Sequence, residues 1–141
     1  MCIRDSQGAK LVYAFAECTV PRVTVILRKA FGGAFIAMNS KDLGADFVFA
    51  WPTAQLGVMG ASQAVEIINR REIEAAADPL AERDALASHY AAEHLYPGAA
   101  TADGHVDEVI APSETRARVA AALGALDSAS LRRWPAGNIP L

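Results

Sequence analysis

The sequence lacks the features that define several large classes of protein. Its 141 residues include only two cysteines, too few for a disulfide framework, which predicts a reducing, cytoplasmic setting. The formal net charge of −3 gives no basic excess that would indicate nucleic acid binding. No stretch reaches the roughly 18 consecutive apolar residues that a membrane span needs. His89, His94 and His105 show no metal-ligand spacing and are expected at the surface, so we predict no metal, no nucleic acid partner and no membrane partner.

What the sequence does contain is a regular alternation of helix and strand patterns. Hydrophobic residues make up 52% and charged residues 21%, an ordinary composition for one folded domain. The continuous β-branched run 23–27 predicts a strand that is covered on both faces. The predicted strands are 23–27, 47–50, 56–59 and 106–110, and the predicted helices are 9–19, a short one that reaches Asn39, 62–72, one from Asp78-Pro79 and one from Pro112. Short connections between these elements predict an α/β fold.

Several local features carry further expectations. Gly44 has the residue type of a helix stop, and the small-residue stretch 99–104 is expected to be a loop. Asp107 and Glu108 are expected to be solvated charges, and the tail 134–141 is expected to lie over a surface. Residues 1–6 do not have the composition of a signal peptide, and we expect them to be a non-native start, although a genuine short start stays open.

The stretch 28–38 has the strongest chemical signal in the chain. The strand-type run 23–27 feeds into Gly32-Gly33, which an apolar segment follows, so a strand, a tight turn and a helix start are predicted. The first N–H groups of a helix have no partner inside it and can bind an oxygen on which negative charge develops. A turn shaped only for packing explains the same spacing, and the spacing alone does not separate the two readings.

The runs of residues along most of the chain closely resemble one family, the carboxyltransferase (beta) subunits of biotin-dependent acyl-CoA carboxylases such as propionyl-CoA and acetyl-CoA carboxylase. The matching residues are Ala9-Lys10-Leu11, Phe15-Ala16-Glu17, Val20-Pro21, Val25, Arg28-Lys29-Ala30, Gly32-Gly33-Ala34, Ala50-Trp51-Pro52-Thr53-Ala54, Val58-Met59-Gly60-Ala61, Val106-Asp107, Val109-Ile110, Pro112-Ser113, Thr115-Arg116 and Gly137-Asn138-Ile139-Pro140-Leu141. The loop 99–103 departs from the usual family wording, which affects only the expected loop shape.

The resemblance implies a crotonase-like fold and places residues 7–141 in the back part of the C-terminal, biotin-binding domain. It implies transfer of a carboxyl group from carboxybiotin to the α carbon of acetyl-CoA or propionyl-CoA, giving malonyl-CoA or methylmalonyl-CoA. The cofactor is biotin on a carrier protein, and the implied partners are a biotin carboxylase alpha subunit with its carrier and further copies of the subunit in a hexameric ring of dimers. The acyl-CoA-binding half is absent from the chain, so the isolated chain is expected to be inactive.

The resemblance also assigns roles to the glycine turn. It implies that Gly32, Gly33 and Ala34 form the biotin site and that the backbone N–H groups of Gly33 and Ala34 hold the ureido oxygen, so no side-chain base or nucleophile is required. Propionyl-preferring members carry Asp at the position of Ile36, which therefore points toward acetyl-CoA, unless Ile36 only packs its helix against the sheet.

Two other functions and several residues stay open at this point. The carboxyltransferase subunit of a sodium-pumping acyl-CoA decarboxylase has the same implied fold, and an inert chain that serves only oligomer packing is a third reading. Arg28, Lys29, Arg70 and Arg71 could meet CoA phosphates or the carrier, although a solvated or dimer-facing role suits each of them. Trp51 is expected in a core or an interface rather than on a biotin.

Overall fold

A computed structural model describes residues 3–128, with side chains from Gln7 to Leu126. The helices are α1 Ile3–Glu17, α2 Gly32–Ala37, α3 Ala61–Ile68, α4 Arg70–Ala75, α5 Pro79–His94, α6 Pro97–Ala102 and α7 Thr115–Ser128, with a 3-10 turn at Pro112–Glu114. The strands are β1 Val23–Ile26, β2 Lys29–Phe31, β3 Phe47–Ala50, β4 Gln55–Gly57 and β5 Glu108–Val109. The α/β class predicted from the sequence is confirmed by this succession. The prediction for the tail concerns residues 134–141, which lie outside the described part.

The main sheet has three parallel strands in the order β1-β3-β5. Successive side chains of a strand point to opposite faces, and β3 uses both. Val48 and Ala50, both 0% exposed, contribute to a first core that also holds Ile26 and Leu56. On the other face, Phe49 belongs to the second core. That core comprises Phe49, Ile110 and Ala122, with Val23, Val25, Phe47, Trp51 and Val119 packed against it. The apolar run of β3 is therefore explained by burial on two sides.

A second, two-stranded sheet lies directly before the glycine turn. β2 pairs in parallel with β4, with Phe31 opposite Gly57. The sequence does not predict β2, because the run 23–27 is the only segment before the glycine turn that is expected to be a strand. β4 ends two residues earlier than expected, at Gly57, so Val58 and Met59 belong to the connection to α3. This small sheet fixes the start of α2, because α2 follows β2 without a connecting loop.

The helical half of the described chain is built around α3 and α5. Asp78 begins α5 as expected, since its Oδ1 accepts hydrogen bonds from the N–H groups of Leu80 (3.1 Å) and Ala81 (3.2 Å). The helix predicted over 62–72 is two helices that break at Asn69. The sequence pattern did not reveal this break, because the helical spacing of apolar residues continues up to Asn69 and polar residues follow it.

Three other expectations are wrong. The stretch expected to be a loop forms α6 as far as Ala102, since Pro97 stands at its first turn and alanine favours a helix. Gly44 is not the stop of α2. Gly44 has a φ of +93°, but it is the last residue of a separate turn over residues 41–44. The positive φ nearest to the end of α2 is that of Asn39, at +66°. Asp107 is not a freely solvated charge, because its carboxylate binds Lys41 Nζ at 2.6 Å and accepts from the Val48 N–H at 2.8 Å.

Glu108 also has a partner. Its Oε1 lies 3.1 Å from Arg118 Nη2, which joins β5 to α7 on a partly exposed surface. β5 itself is shorter than predicted, at two residues, and the segment before it is held by the Asp107 N–H, which donates to the Val48 carbonyl at 2.8 Å. Backbone hydrogen bonds therefore continue on both sides of this short strand, since the Ile110 N–H also donates to the Ala50 carbonyl at 2.9 Å.

Candidate functional site

The start of α2 requires glycine at one position. Gly32 has a φ of +57°, which residues other than glycine rarely adopt. A Cβ atom on Gly32 would also lie 3.0 Å from the Val58 carbonyl oxygen. Gly33 differs, because a Cβ there would meet nothing within 4 Å. The first glycine therefore makes the turn, and the second leaves open space beside the helix.

The first turn of α2 presents backbone donors outward. The helix begins directly after Phe31, whose side chain makes no capping bond. The N–H groups of Gly33 and Ala34 belong to the first turn and so have no partner inside the helix. Both residues are exposed. An oxygen atom with partial or full negative charge is the group that suits such donors.

A cleft of about 510 Å³ opens beside this turn. The volume is typical of a site for a small organic molecule. Its lining residues are Gly32, Gly33, Phe35, Ile36, Asp42, Leu56, Gly57, Val58, His94, Ala99, Ala100, Asp103 and His105. The structure thus brings together Gly32, Gly33 and Ile36 from the predicted site, whereas Ala34 is exposed next to the cleft without lining it.

The apolar floor of the cleft is the outer edge of the first core. Leu56 is a member of that core, and Phe35 and Ala100 pack against it. Gly57 allows Leu95 to pack closely against β4, since a Cβ atom on Gly57 would lie 2.6 Å from Leu95 Cδ2. Leu95 is in turn tied to β4, because its carbonyl accepts from the Leu56 N–H at 3.0 Å. The floor is consequently built from residues far apart in the sequence.

Titratable side chains stand at the edge of the cleft. Asp42, His94, Asp103 and His105 all line it, and Asp42 Oδ2 lies 3.5 Å from His105 Nδ1. His94 and His105 are exposed at the surface, as predicted, but no sequence pattern places them in the same cleft as Gly33. No local signal could have found them, because 63 residues separate Asp42 from His105.

Other residues singled out in the sequence lie elsewhere. Arg28, Lys29, Arg70 and Arg71 are exposed, and none of the four lines the cleft within the described part of the chain. Trp51 is half-buried against the second core, on the other face of β3, and its Nε1–H donates to Thr115 Oγ1 at 3.0 Å. Trp51 therefore has a packing role, as expected.

Between residues 3 and 128, no group of three or more His, Cys, Asp or Glu side chains could hold a metal ion. None of the helices described there has both the length and the apolar character that crossing a bilayer requires.

Comparison with known proteins assigns the chain to a family. The carboxyl transferase domain matches residues 6–138. The chain belongs to the carboxyl transferase family. This carboxyl transferase chain is 50% identical over 139 residues to the biotin-dependent acetyl-/propionyl-coenzyme A carboxylase beta6 subunit of Mycobacterium tuberculosis, covering 96% of the chain and 28% of that subunit.

Two further relatives are informative. The chain is 48% identical over 137 residues to the methylmalonyl-CoA decarboxylase subunit alpha of Propionigenium modestum, covering 95% of the chain and 26% of that protein. It aligns with transcarboxylase 12S, whose crystal structure concerns hexamer assembly and contains methylmalonyl-CoA and methylmalonic acid, with a TM-score of 0.82 and 43% identity over 100% of this chain and 29% of that one. The fold of this carboxyl transferase chain is crotonase-like, and it spans about a quarter of the length of its curated relatives.

Proposed function

We propose that the carboxyl transferase chain forms the biotin-binding part of an enzyme that moves a carboxyl group from carboxybiotin on a carrier protein to the α carbon of a short-chain acyl-CoA. The observation that carries this proposal is the position of Gly33, which belongs to the first turn of α2 and lines the cleft. Acetyl-CoA and propionyl-CoA are the proposed acceptors, and malonyl-CoA and methylmalonyl-CoA the products.

The cleft suits biotin in both size and character. A volume of about 510 Å³ accommodates a bicyclic ring with its chain, and the floor of Phe35, Leu56 and Ala100 is apolar. A ureido oxygen needs hydrogen-bond donors, and the N–H groups of Gly33 and Ala34 are available for it. When bound, carboxybiotin supplies an activated carboxyl group.

The contribution of this chain is electrostatic rather than acid–base. Two fixed N–H donors stabilise negative charge on an oxygen when it develops, and the removal of one such donor costs roughly 10²–10³ in kcat in other enzymes. Fixed backbone dipoles need no reorganisation at the moment of reaction. The acyl-CoA is proposed to bind to sequence outside this chain, so the chain holds half of an active site and is inactive alone. Residues 7–141 then correspond to the back part of the C-terminal domain.

Ile36 is the proposed determinant of acyl preference. It lines the cleft on the turn of α2 that follows the donors and is 47% exposed. The resemblance to the family implies that an apolar side chain at this position favours acetyl-CoA, because propionyl-preferring members carry Asp there. The beta6 relative of M. tuberculosis is named for both acetyl- and propionyl-CoA, which agrees with the two acceptors proposed for this chain.

The partners follow from the same proposal. A carrier protein must bring biotin to the open cleft, and a biotin carboxylase subunit must charge it. The crystal structure of transcarboxylase 12S concerns a hexamer, which supports assembly of the complete subunit into a hexameric ring.

The test uses a chimeric subunit, in which this chain replaces the matching segment of the M. tuberculosis beta6 subunit. With malonyl-CoA and biotinylated carrier, the chimera is expected to produce acetyl-CoA and carboxylated carrier. Gly33→Pro removes one donor, because proline has no backbone N–H. We expect this variant to lose at least about 100-fold in kcat, with acyl-CoA binding unchanged in calorimetry.

Two results would contradict the proposal. An assembled chimera with no malonyl-CoA-dependent transfer would refute the carboxyltransferase function, provided that the parent subunit is active in the same assay. Wild-type turnover in Gly33→Pro, with the helix content of the subunit retained, would refute the role of the N–H groups.

A second candidate is the carboxyltransferase subunit of a sodium-pumping acyl-CoA decarboxylase. The 48% identity to the methylmalonyl-CoA decarboxylase subunit alpha of P. modestum favours it. The genes next to the coding sequence distinguish the two candidates, since the carboxylase requires a biotin carboxylase and the decarboxylase a membrane subunit. If the second candidate is correct, the assembled complex is expected to show sodium-dependent decarboxylation instead of ATP-dependent carboxylation.

A further inference from the structure

The helix that carries the two donors has little intrinsic stability. α2 has only six residues, buries none of them fully and lacks a side-chain cap at its start. Helices of this length do not form alone in water. The position of its first turn must therefore be set by contacts outside the helix.

Asn39 connects the segment after α2 to the main sheet. It is 5% exposed, and its φ of +66° reverses the chain after the helix. The Thr24 hydroxyl donates to the Asn39 carbonyl at 2.8 Å and accepts from the Asn39 Nδ2 at 2.9 Å. The segment that directly follows α2 is thus joined to β1 by two hydrogen bonds that share one hydroxyl.

Arg22 extends this connection to two other segments. It is 8% exposed, and its Nη1 donates to Asn39 Oδ1 at 3.0 Å and to the Phe15 carbonyl of α1 at 2.6 Å. Its Nη2 donates to the Gly44 carbonyl at 2.5 Å. A Cβ atom on Gly44 would lie 2.8 Å from this Nη2, so glycine is needed for the guanidinium to fit. The loop that Arg22 holds carries Asp42 to the edge of the cleft.

We infer that Arg22, Thr24 and Asn39 are positioning residues, which hold α2 so that the Gly33 and Ala34 N–H groups point at the ligand oxygen. This inference rests on the proposed function. β2 and the Val58 carbonyl constrain the first turn of α2, and the network of Arg22, Thr24 and Asn39 constrains the segment that directly follows its end. With both ends held, the donors are placed before the ligand arrives. A misplacement of about 1 Å can cost on the order of 100-fold in rate.

The test compares two matched substitutions in the chimeric subunit. Thr24→Val removes the hydroxyl of the network while keeping the shape of the side chain. Thr115→Val is the control, because Thr115 is also half-buried and also makes a long-range side-chain hydrogen bond, to Trp51, away from the cleft. We expect Thr24→Val to lower kcat about tenfold with an unchanged KM for acyl-CoA, and Thr24→Ser to restore kcat. Thr115→Val is expected to keep wild-type kcat.

A second measurement does not depend on activity. Amide hydrogen exchange over residues 32–38 is expected to be faster in Thr24→Val than in Thr115→Val, because only the former releases the segment that directly follows α2. Asn39→Gly keeps the positive φ and removes the side-chain bonds, so it should reproduce both effects if Thr24→Val does not assemble. Equal exchange over 32–38 in the two threonine variants would overturn the inference whether or not the enzyme is active. An inactive wild-type chimera with faster exchange in Thr24→Val would instead refute only the proposed function.

Discussion

Gly32 and Asn39 stand just at the start of α2 and just beyond its end, and both have a positive φ, of +57° and +66°. The reason differs at the two positions. At Gly32 the nearby Val58 carbonyl also leaves little room for a Cβ atom, which favours glycine. At Asn39 the hydrogen bond from the Thr24 hydroxyl to the Asn39 carbonyl helps to offset the cost of the positive φ. The sequence indicates the first, because Gly-Gly after a strand predicts a tight turn. It does not indicate the second, since the partner of Asn39 lies 15 residues away.

The acyl preference can be tested with one substitution at Ile36. In the chimeric subunit, Ile36→Asp is expected to lower the ratio of kcat/KM for acetyl-CoA to that for propionyl-CoA by about tenfold, the scale of a one-methylene difference in a pocket. The direction follows from the resemblance, in which propionyl-preferring members carry Asp at this position. Steady-state kinetics with both substrates measures the ratio.

Ile67→Asp is the matched control for this change. Ile67 is 69% exposed on α3 and does not line the cleft. The same ratio in both variants would show that specificity is set elsewhere and that Ile36 only packs its helix.

At the scale of elements, the start of β3 and the segment before β5 are joined through Asp107. Its carboxylate binds Lys41 Nζ and the Val48 N–H, and Lys41 Nζ also donates to the Asp46 carbonyl at 3.1 Å. Lys41 and Asp107 have side chains that are 32% and 30% exposed, so solvent weakens their ion pair. The bond to the Val48 N–H is less replaceable, since that residue is 0% exposed.

Asp107→Ala is therefore expected to destabilise the start of β3 by about 1–2 kcal/mol, because the Val48 N–H loses its acceptor. That loss corresponds to on the order of tenfold faster amide exchange over residues 47–50. Hydrogen exchange followed by mass spectrometry checks the value in the chimeric subunit. Glu74→Ala is the control, since it breaks the exposed Arg70–Glu74 pair (2.9 Å) on α4 and should leave exchange in β3 unchanged. Equal exchange in the two variants would show that Asp107 is a solvated charge after all.

At the scale of the whole molecule, large apolar side chains stand at the surface of the described part. The most exposed are Val58 (81%), Ile67 (69%), Ile68 (67%), Leu80 (66%) and Met38 (63%). Scattered apolar residues are normal on a protein surface, but several large ones on so small a chain indicate covered faces in an assembly. The chain spans about a quarter of the length of its relatives, and the rest of such a subunit is one source of that cover.

The isolated 141-residue chain is accordingly expected to self-associate at micromolar concentration. Analytical ultracentrifugation should show species larger than the monomer, and an apolar dye should bind. Replacing Ile67 and Ile68 by lysine should lower the extent of association, whereas Gln63→Lys on the same helix should not. A wild-type chain that is monomeric and unfolds cooperatively would contradict this expectation.

The sequence by itself determined the α/β class, the strands β1 and β3, the cap at Asp78 and, through its runs of matching residues, the family. Each of these depends on local chemistry or on local order along the chain, such as β-branched runs, N-cap residues and glycine pairs. Only the tertiary structure decided that Gly33 faces a cleft, that α6 and β4 form its walls, and that Asp42 and His105 stand together at its edge. The physical reason is that a cleft is made of contacts between residues far apart in the chain, and the patterns that predict helices and strands reach no further than one element.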